Sequence, residues 1–340
     1  MISRNNRINA FTELGKHLLN PKNTTEIEEL AIAANRKNNW FTVPNVLKSL
    51  SAIGSQYLDH NYLLDWVTTY PEIKTSKKIG VIMAGNIPAV GFHDALAVLI
   101  SGHTLLAKLS SEDEILIRAL FDKLIEIEPT FRDYITYVER LNEADAYIAT
   151  GSDNTARYFH YYFSKKPNII RKNRTSVALL TGEESAEDLY KLGADMIQYF
   201  GLGCRNVSHL FVPSGYDFTK FYESIQSFDQ ICLNHHKYFN NYEYNKSVLL
   251  INRTHHYDNG FLMITENSAF VSPISVVYYQ TYESINQVRD QITENQEKIQ
   301  CVISRSHELE NALPFGTAQE PGLLDYADSV DTMSFLSQLQ

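Results

Sequence analysis

The chain is predicted to be α/β, built as two Rossmann-like lobes with a cleft between them, and three observations carry that expectation. From residue 78 onward, short β-branched runs alternate with helix-like stretches of about 10 to 15 residues, the pattern of βαβ units and parallel sheets. Two of the runs end in glycine-containing turns, Ala84-Gly-Asn-Ile-Pro88 and Thr150-Gly-Ser-Asp153, as strands do when they feed a following helix. The length, 340 residues, suits one large domain or two of ordinary size.

Residues 1 to 70 read as helical and polar, with aromatics at Trp40, Phe41, Tyr57, Tyr62 and Trp66. The first stretch is an amphipathic helix carrying Ile8, Phe11 and Leu18. Residues 78–85 form a buried strand that ends in glycine, followed by a helix over 90–100, a strand over 103–109 and a helix over 112–125. Residues 134–138 and 146–150 are strands, and 153–163 is a helix. Beyond Thr175 come a strand at 176–180, a helix at 186–200 and a strand at 206–212. Residues 247–251 and 275–279 then read as strands, 284–294 as a helix and 300–304 as a last strand. The domain boundary falls near residue 180. Residues 1–180 would hold the N-terminal helices and a nucleotide-binding α/β domain, with 306–340 returning to it. Residues 181–305 would form a catalytic α/β domain. No internal repeat or low-complexity tract interrupts this order.

Composition excludes several classes. A net charge of −10 disfavours nucleic acid, whose phosphates need a basic face. No apolar run approaches the roughly 20 residues that span a bilayer, so no membrane span is expected. Cys204, Cys232 and Cys301 are odd in number and far apart, forming neither a disulfide framework nor a zinc spacing. A cytoplasmic location follows as the expectation. His235-His236 and His255-His256 are adjacent pairs that point apart, with no acidic spacing beside them, so no metal site is expected.

The most informative segment is Tyr199-Phe-Gly-Leu-Gly-Cys-Arg-Asn-Val-Ser208. Gly201 and Gly203 permit a tight backbone that would lift the Cys204 sulfur out of the packing, and a thiolate nucleophile needs such access. A buried structural cysteine beside a helix C-cap is the other reading. At the carboxyl ends of parallel strands, helix N-termini present N–H groups to anions. The turns after 78–82 and 146–150 fit that place, although neither is a G-x-G-x-x-G fingerprint. Lys108 ends the second strand, ahead of Ser110 and Ser111, where its ammonium can reach a ribose or phosphate.

Taken in order, these pieces resemble the aldehyde dehydrogenase superfamily. Gly80-Val-Ile-Met-Ala-Gly-Asn-Ile-Pro88 is similar to that family's strand and W-N-F-P turn, and Ala97 to Lys108 to its ALA-x-GNT segment. Thr150-Gly-Ser152 matches the TGS ahead of the pyrophosphate helix, and Phe200-Gly-Leu-Gly-Cys-Arg205 stands where the family has its catalytic cysteine. Pro273-Ile-Ser-Val-Val277 and Leu313-Pro-Phe-Gly316 resemble later motifs. Within the superfamily the chain looks most like bacterial acyl-CoA reductases, relatives of the fatty-acid reductase subunit of bacterial bioluminescence.

The resemblance implies an acyl-CoA reductase that converts an acyl-CoA to the aldehyde with NADPH, NADH being the alternative, through a thioester on Cys204. It implies Asn86 as an oxyanion donor beside the Cys204 N–H, and cofactor contacts from Met83, Ala84, Gly85, Lys108, Ser110, Ser111, Thr150, Gly151 and Ser152. Ser111 stands where NAD-preferring members hold a ribose-binding glutamate, which favours NADPH. The basic set Lys165, Lys166, Arg171, Lys172 and Arg174 is a candidate grip for CoA phosphates. Two departures matter. The segment 168–175, equivalent to the family's ELGG motif, has no carboxylate to activate water, and Ala269 replaces the ribose glutamate of EIFGP, with Glu266 the nearest acid. A hydrolytic aldehyde dehydrogenase and a non-catalytic nucleotide- or acyl-binding subunit of the same fold are the alternatives. A homo-oligomer and a complex with a partner enzyme subunit are both left open.

Overall fold

The computed structural model describes residues 2–151, 153–305 and 309–339, with Asp153 and Asn154 described in backbone only. Four helices open the chain: α1 (Arg4–Leu19), α2 (Thr24–Lys37), α3 (Val43–Ala52) and α4 (His60–Thr68). Then follow β1 (Lys78–Ile82), α5 (Phe92–Ser101), β2 (Thr104–Lys108), α6 (Glu114–Ile127), β3 (Ile135–Tyr137), β4 (Ala146–Thr150), α7 (Asp153–Phe163) and β5 (Asn168–Arg171). Next come β6 (Thr175–Leu179), α8 (Ala186–Ile197), β7 (Val207–Pro213), α9 (Thr219–Ile225), α10 (Asp229–Leu233) and α11 (His236–Ile251). The remaining elements are β8 (His256–Asp258), β9 (Met263–Glu266), β10 (Val276–Tyr282), α12 (Ile285–Glu294), β11 (Ile299–Ser304) and α13 (Thr332–Ser337). They divide into two units, residues 1–173 with 321–340, and residues 174–320.

In the first unit a five-stranded sheet runs β3-β2-β1-β4-β5, with every pair parallel. Successive strands are added on one side of β1 as far as β3, and the chain then crosses to place β4 on the other side. That reversal makes the β1/β4 boundary the topological switch point where open α/β sheets bind ligands. Parallel strands covered on both faces read as short, uniformly apolar runs; accordingly Ile79, Val81, Leu105, Ala107, Ala146 and Ile148 are all buried. Helix α5 is buried along almost its whole length and stops at Gly102, whose φ of +100° forms the left-handed cap. The N-terminal helix forms as its pattern predicts: Ser3 Oγ caps it by accepting from the Asn6 N–H, and Ile8, Phe11 and Leu14 face the core. Residues beyond 320 close this unit. Trp66 Nε1 donates to Tyr326 OH at 2.6 Å, and Tyr70 OH donates to Asp331 at 2.8 Å.

In the second unit a six-stranded sheet runs β11-β6-β7-β10-β9-β8, parallel except for the edge pair β8/β9. Val177, Leu179, Phe211 and Ile299 pack against Val288 of α12 on one face. Helix α8 starts at a capping box, in which Ser185 and Asp188 satisfy each other's backbone N–H groups.

Three expectations are corrected. Strand β6, which the sequence assigns to the N-terminal domain, is hydrogen-bonded between β11 and β7 of the second sheet. Residues 247–251 are the last turns of α11 rather than a strand; a five-residue apolar run does not distinguish the two by periodicity alone. The helix expected over 186–200 ends at Ile197, because residues 199–201 turn left-handed.

Candidate active site

The carboxyl edge of the first sheet brings most of the expected cofactor residues to one level. Ile82 is in register with Lys108 on one side and Ala149 on the other, so Met83 and Leu109 leave the sheet at the level of Thr150, the last residue of β4. Met83 N–H donates to the Lys108 carbonyl at 3.1 Å, and Gly151 N–H to that of Arg171 at 3.3 Å. Gly85 is required here: a Cβ on it would run into the Ser110 side chain, so the turns after β1 and β2 touch backbone to side chain. Met83 is buried, and Ala84, Lys108, Ser110, Thr150 and Gly151 are half-buried, while Asn86 and Ser111 are exposed. Ser152 lies outside the described residues.

One residue of this edge was not singled out from the sequence. Asp113, just ahead of α6, is 3% exposed. Its Oδ2 accepts from Ala89 N–H at 2.7 Å, while its Oδ1 is buried without a hydrogen-bond partner. Burial pushes its pKa up to about 8, against the opposing pull of the Ala89 N–H. The carboxyl is therefore protonated at neutral pH and pins the turn that carries Asn86. In the sequence it sits within Ser-Ser-Glu-Asp-Glu, which reads as a solvated helix start, and nothing there marks one acid of the three as buried.

Cys204 lies in the turn between α8 and β7, at the amino edge of the second sheet. Tyr199 (φ 54°), Phe200 (φ 58°), Gly201 (φ 75°) and Gly203 (φ 100°) all have positive φ. Left-handed backbone costs a non-glycine residue about 1 to 2 kcal/mol, and packing offsets it here. Phe200 is 1% exposed and stacks on His235 with ring centroids 4.0 Å apart, while His235 caps α11 by accepting from Tyr238 N–H. Behind the cysteine, Ser176 Oγ donates to the Cys204 carbonyl at 3.1 Å and accepts from Cys301 N–H at 3.2 Å. Thr175 Oγ1 holds the Asn206 carbonyl at 3.0 Å. The segment 204–208 is thus pinned to β6, and the Cys204 side chain is half-buried rather than sealed. Cys232, in contrast, is fully buried, and desolvation raises its thiol pKa to about 12, so it carries essentially no thiolate at neutral pH.

Other candidates separate. The five-cation set does not form one phosphate grip. Arg171 is buried, paired with Asp94 and donating to Thr332 Oγ1 at 2.8 Å; Lys166 binds the Ala144 carbonyl; and Arg174 donates to the carbonyls of Gln296 and Ile299. Lys165 and Lys172 are exposed. Glu266 ends β9 in register with Tyr279, which is opposite Leu210 of β7. Two strand spacings, roughly 10 Å, separate it from Leu210, so the register does not pair Glu266 with the start of β7 that follows Cys204. Ala269 is exposed, and its carbonyl accepts from His209 Nδ1 at 2.9 Å. His209 is fully buried, and burial depresses its pKa to about 4, so it is neutral at physiological pH. Among the described residues no helix is long and apolar enough to cross a membrane.

No protein-family model matches this chain, and no curated protein is similar to it in sequence. Solved structures are similar in fold. An aldehyde dehydrogenase of Mycobacterium tuberculosis complexed with NAD+ aligns at a TM-score of 0.64 and 14% identity, over 99% of this chain and 84% of that one. An E. coli NADP dependent enzyme aligns at a TM-score of 0.69 and 14% identity, over 94% and 77% of the two chains. The NAD+ complex of an aldehyde dehydrogenase from Bacillus cereus gives 0.63 and 15%, over 93% and 79%. At these identities the likeness establishes the fold: an aldehyde-dehydrogenase-like α/β architecture with Rossmann-type domains.

Proposed function

We propose that the protein is an NAD(P)H-dependent acyl-CoA reductase that forms an aldehyde through a thioester on Cys204. The observation that carries the reading is the presentation of Cys204 on a strained, pinned turn in a chain without an acidic residue from 154 to 182. That combination supports a nucleophile whose acyl adduct receives no carboxylate base from the segment 154–182. The fold neighbours described as an NADP dependent enzyme and as an NAD+ complex support a nicotinamide cofactor.

The edge after β1, β2 and β4 suits such a cofactor in its chemistry. It lies at the switch point, Gly85 removes side-chain bulk where the turns meet, and Lys108 supplies a cation. In this reading Ala84, Gly85, Lys108, Ser110, Ser111, Thr150 and Gly151 hold the dinucleotide, with Met83 contributing backbone alone. Ser111, uncharged and exposed, tolerates a 2′-phosphate near Lys108 and favours NADPH. The bound nicotinamide supplies hydride. Cys204 as thiolate attacks the thioester carbonyl carbon; the new C–S bond forms as the bond to CoA breaks, and CoA leaves with the displaced electron pair. The Cys204 N–H and the Asn86 amide are the proposed donors to the carbonyl oxygen, each worth roughly 3 to 4 kcal/mol in the transition state. After reduction, Cys204 is the leaving group that releases the aldehyde.

Intact-protein mass spectrometry after addition of a long-chain acyl-CoA, without reduced cofactor, tests the proposal. An acyl adduct on Cys204 should persist, reverse when CoA is added, and vanish with aldehyde formation when NADPH is supplied. The Cys204→Ser protein should form no thioester, whereas Cys232→Ser should behave as the parent. Rapid return to unmodified Cys204 with carboxylic acid as product would refute the reductase reading in favour of a hydrolytic aldehyde dehydrogenase.

A further inference from the structure

We propose that Asp195 is a positioning residue for Cys204, acting through the backbone of Ala318 and the guanidinium of Arg205; this rests on the reading of Cys204 as the nucleophile. Asp195 lies in the last turn of α8 and is 1% exposed. A buried carboxylate is costly unless its oxygens are bonded, and here each oxygen accepts its own backbone N–H. Oδ2 accepts from Gly316 at 2.7 Å and Oδ1 from Ala318 at 3.0 Å. The Asp195 carbonyl also accepts from Gln319 Nε2 at 3.4 Å. The segment 316–319 is therefore fastened to the end of the helix that leads into the cysteine turn.

The same segment is gripped from its other side. Arg205, next to Cys204 in the chain, donates from Nη1 to the Ala318 carbonyl at 3.3 Å. Ala318 is fully buried, with its N–H held by Asp195 and its C=O by Arg205. Gly316 has a φ of +86°, and a Cβ there would lie 3.0 Å from the Lys191 Cβ, so the loop fits α8 closely and has little freedom to shift along it. Ser176 fixes the Cys204 carbonyl from the sheet side. Asp195, Ala318 and Arg205 fix residue 205 from the loop side, and together the two sets determine where the sulfur can be. Without the carboxylate, Arg205 would bind a loop that is itself loose.

The test is a double-mutant cycle on the full chain with Asp195→Asn, Arg205→Met and the combined variant. A displacement of the nucleophile by about an ångström costs up to about a hundredfold in rate. Asp195→Asn should lower kcat with acyl-CoA and NADPH by about 10- to 100-fold with the KM for NADPH unchanged, and Asp195→Glu should recover part of the loss. Arg205→Met should give a loss of similar size, and the double variant should lose little more than either single, because both break one relay. Alkylation of Cys204 by iodoacetamide, followed on its peptide by mass spectrometry, should slow by a common factor in all three. That second readout needs no turnover, so it judges the relay even if the reductase reading fails for want of activity in the parent protein. A wild-type kcat and alkylation rate in Asp195→Asn, or losses that simply multiply in the double variant, would overturn the proposal. Should the asparagine variant not fold, Arg205→Met at its half-buried site decides alone: parent-like kcat and alkylation there would overturn the relay equally.

Discussion

Replacing Asp113 with asparagine should remove a pH-dependent destabilisation of the first unit. The carboxyl is 3% exposed, and its pKa rises from 3.8 to about 8, burial being the dominant cause. Because the folded pKa lies above the unfolded one, the native state keeps a proton that the unfolded chain releases. The stability contribution is fully present below about pH 4 and is lost as pH climbs toward 8. Each pH unit in that window costs about 1.4 kcal/mol, so between pH 5 and pH 8 the parent should lose about 3 to 4 kcal/mol relative to Asp113→Asn. The asparagine carbonyl can still accept from Ala89 N–H, which keeps the turn carrying Asn86 in place. Both tryptophans, Trp40 and Trp66, lie in the first unit, so urea denaturation followed by tryptophan fluorescence reports on that unit alone. The stability gap between the two proteins should widen steadily with pH. A gap that stays constant from pH 5 to pH 8 would mean that Asp113 is already ionised in the folded protein, and would refute the argument.

Two further outcomes are expected. Ser111→Glu should reverse the cofactor preference from NADPH to NADH, measured as the ratio of their dissociation constants; an unchanged ratio would remove this turn from 2′-phosphate recognition. Arg171→Met should leave Asp94 without its buried partner and cost about 3 to 5 kcal/mol. At roughly 2 to 4 °C per kcal/mol for a unit of this size, the melting temperature of the first unit should fall by about 6 to 20 °C, and an unshifted transition would show that the pair adds nothing.

Much of the scaffold is legible in the chain itself. Strand β4 and helix α7 fall where alternation and turn residues place them, at 146–150 and 153–163, because a buried parallel strand needs a short apolar run and the helix after it needs a polar, amphipathic one. The α/β fold follows from repeating that local grammar. The chemistry of the candidate site is legible only in part. The glycines around Cys204 reveal that its backbone must turn tightly, since that demand is local. That Tyr199 and Phe200 are also left-handed is not legible, because the packing that offsets the strain comes from residues distant in sequence, such as His235 and Tyr238 against the Phe200 ring. Arg171 looks like one of a row of surface cations, yet it is buried against Asp94 and Thr332, which lie 77 and 161 residues away. Asp113 and Asp195 have the same character. Asp113 sits in a polar stretch that reads as solvated and Asp195 in an apolar one that names no partner for it, and what makes these two matter is a set of partners far off in sequence. Local preference is written residue by residue, but desolvation and long-range hydrogen bonding exist only once the chain has closed around them.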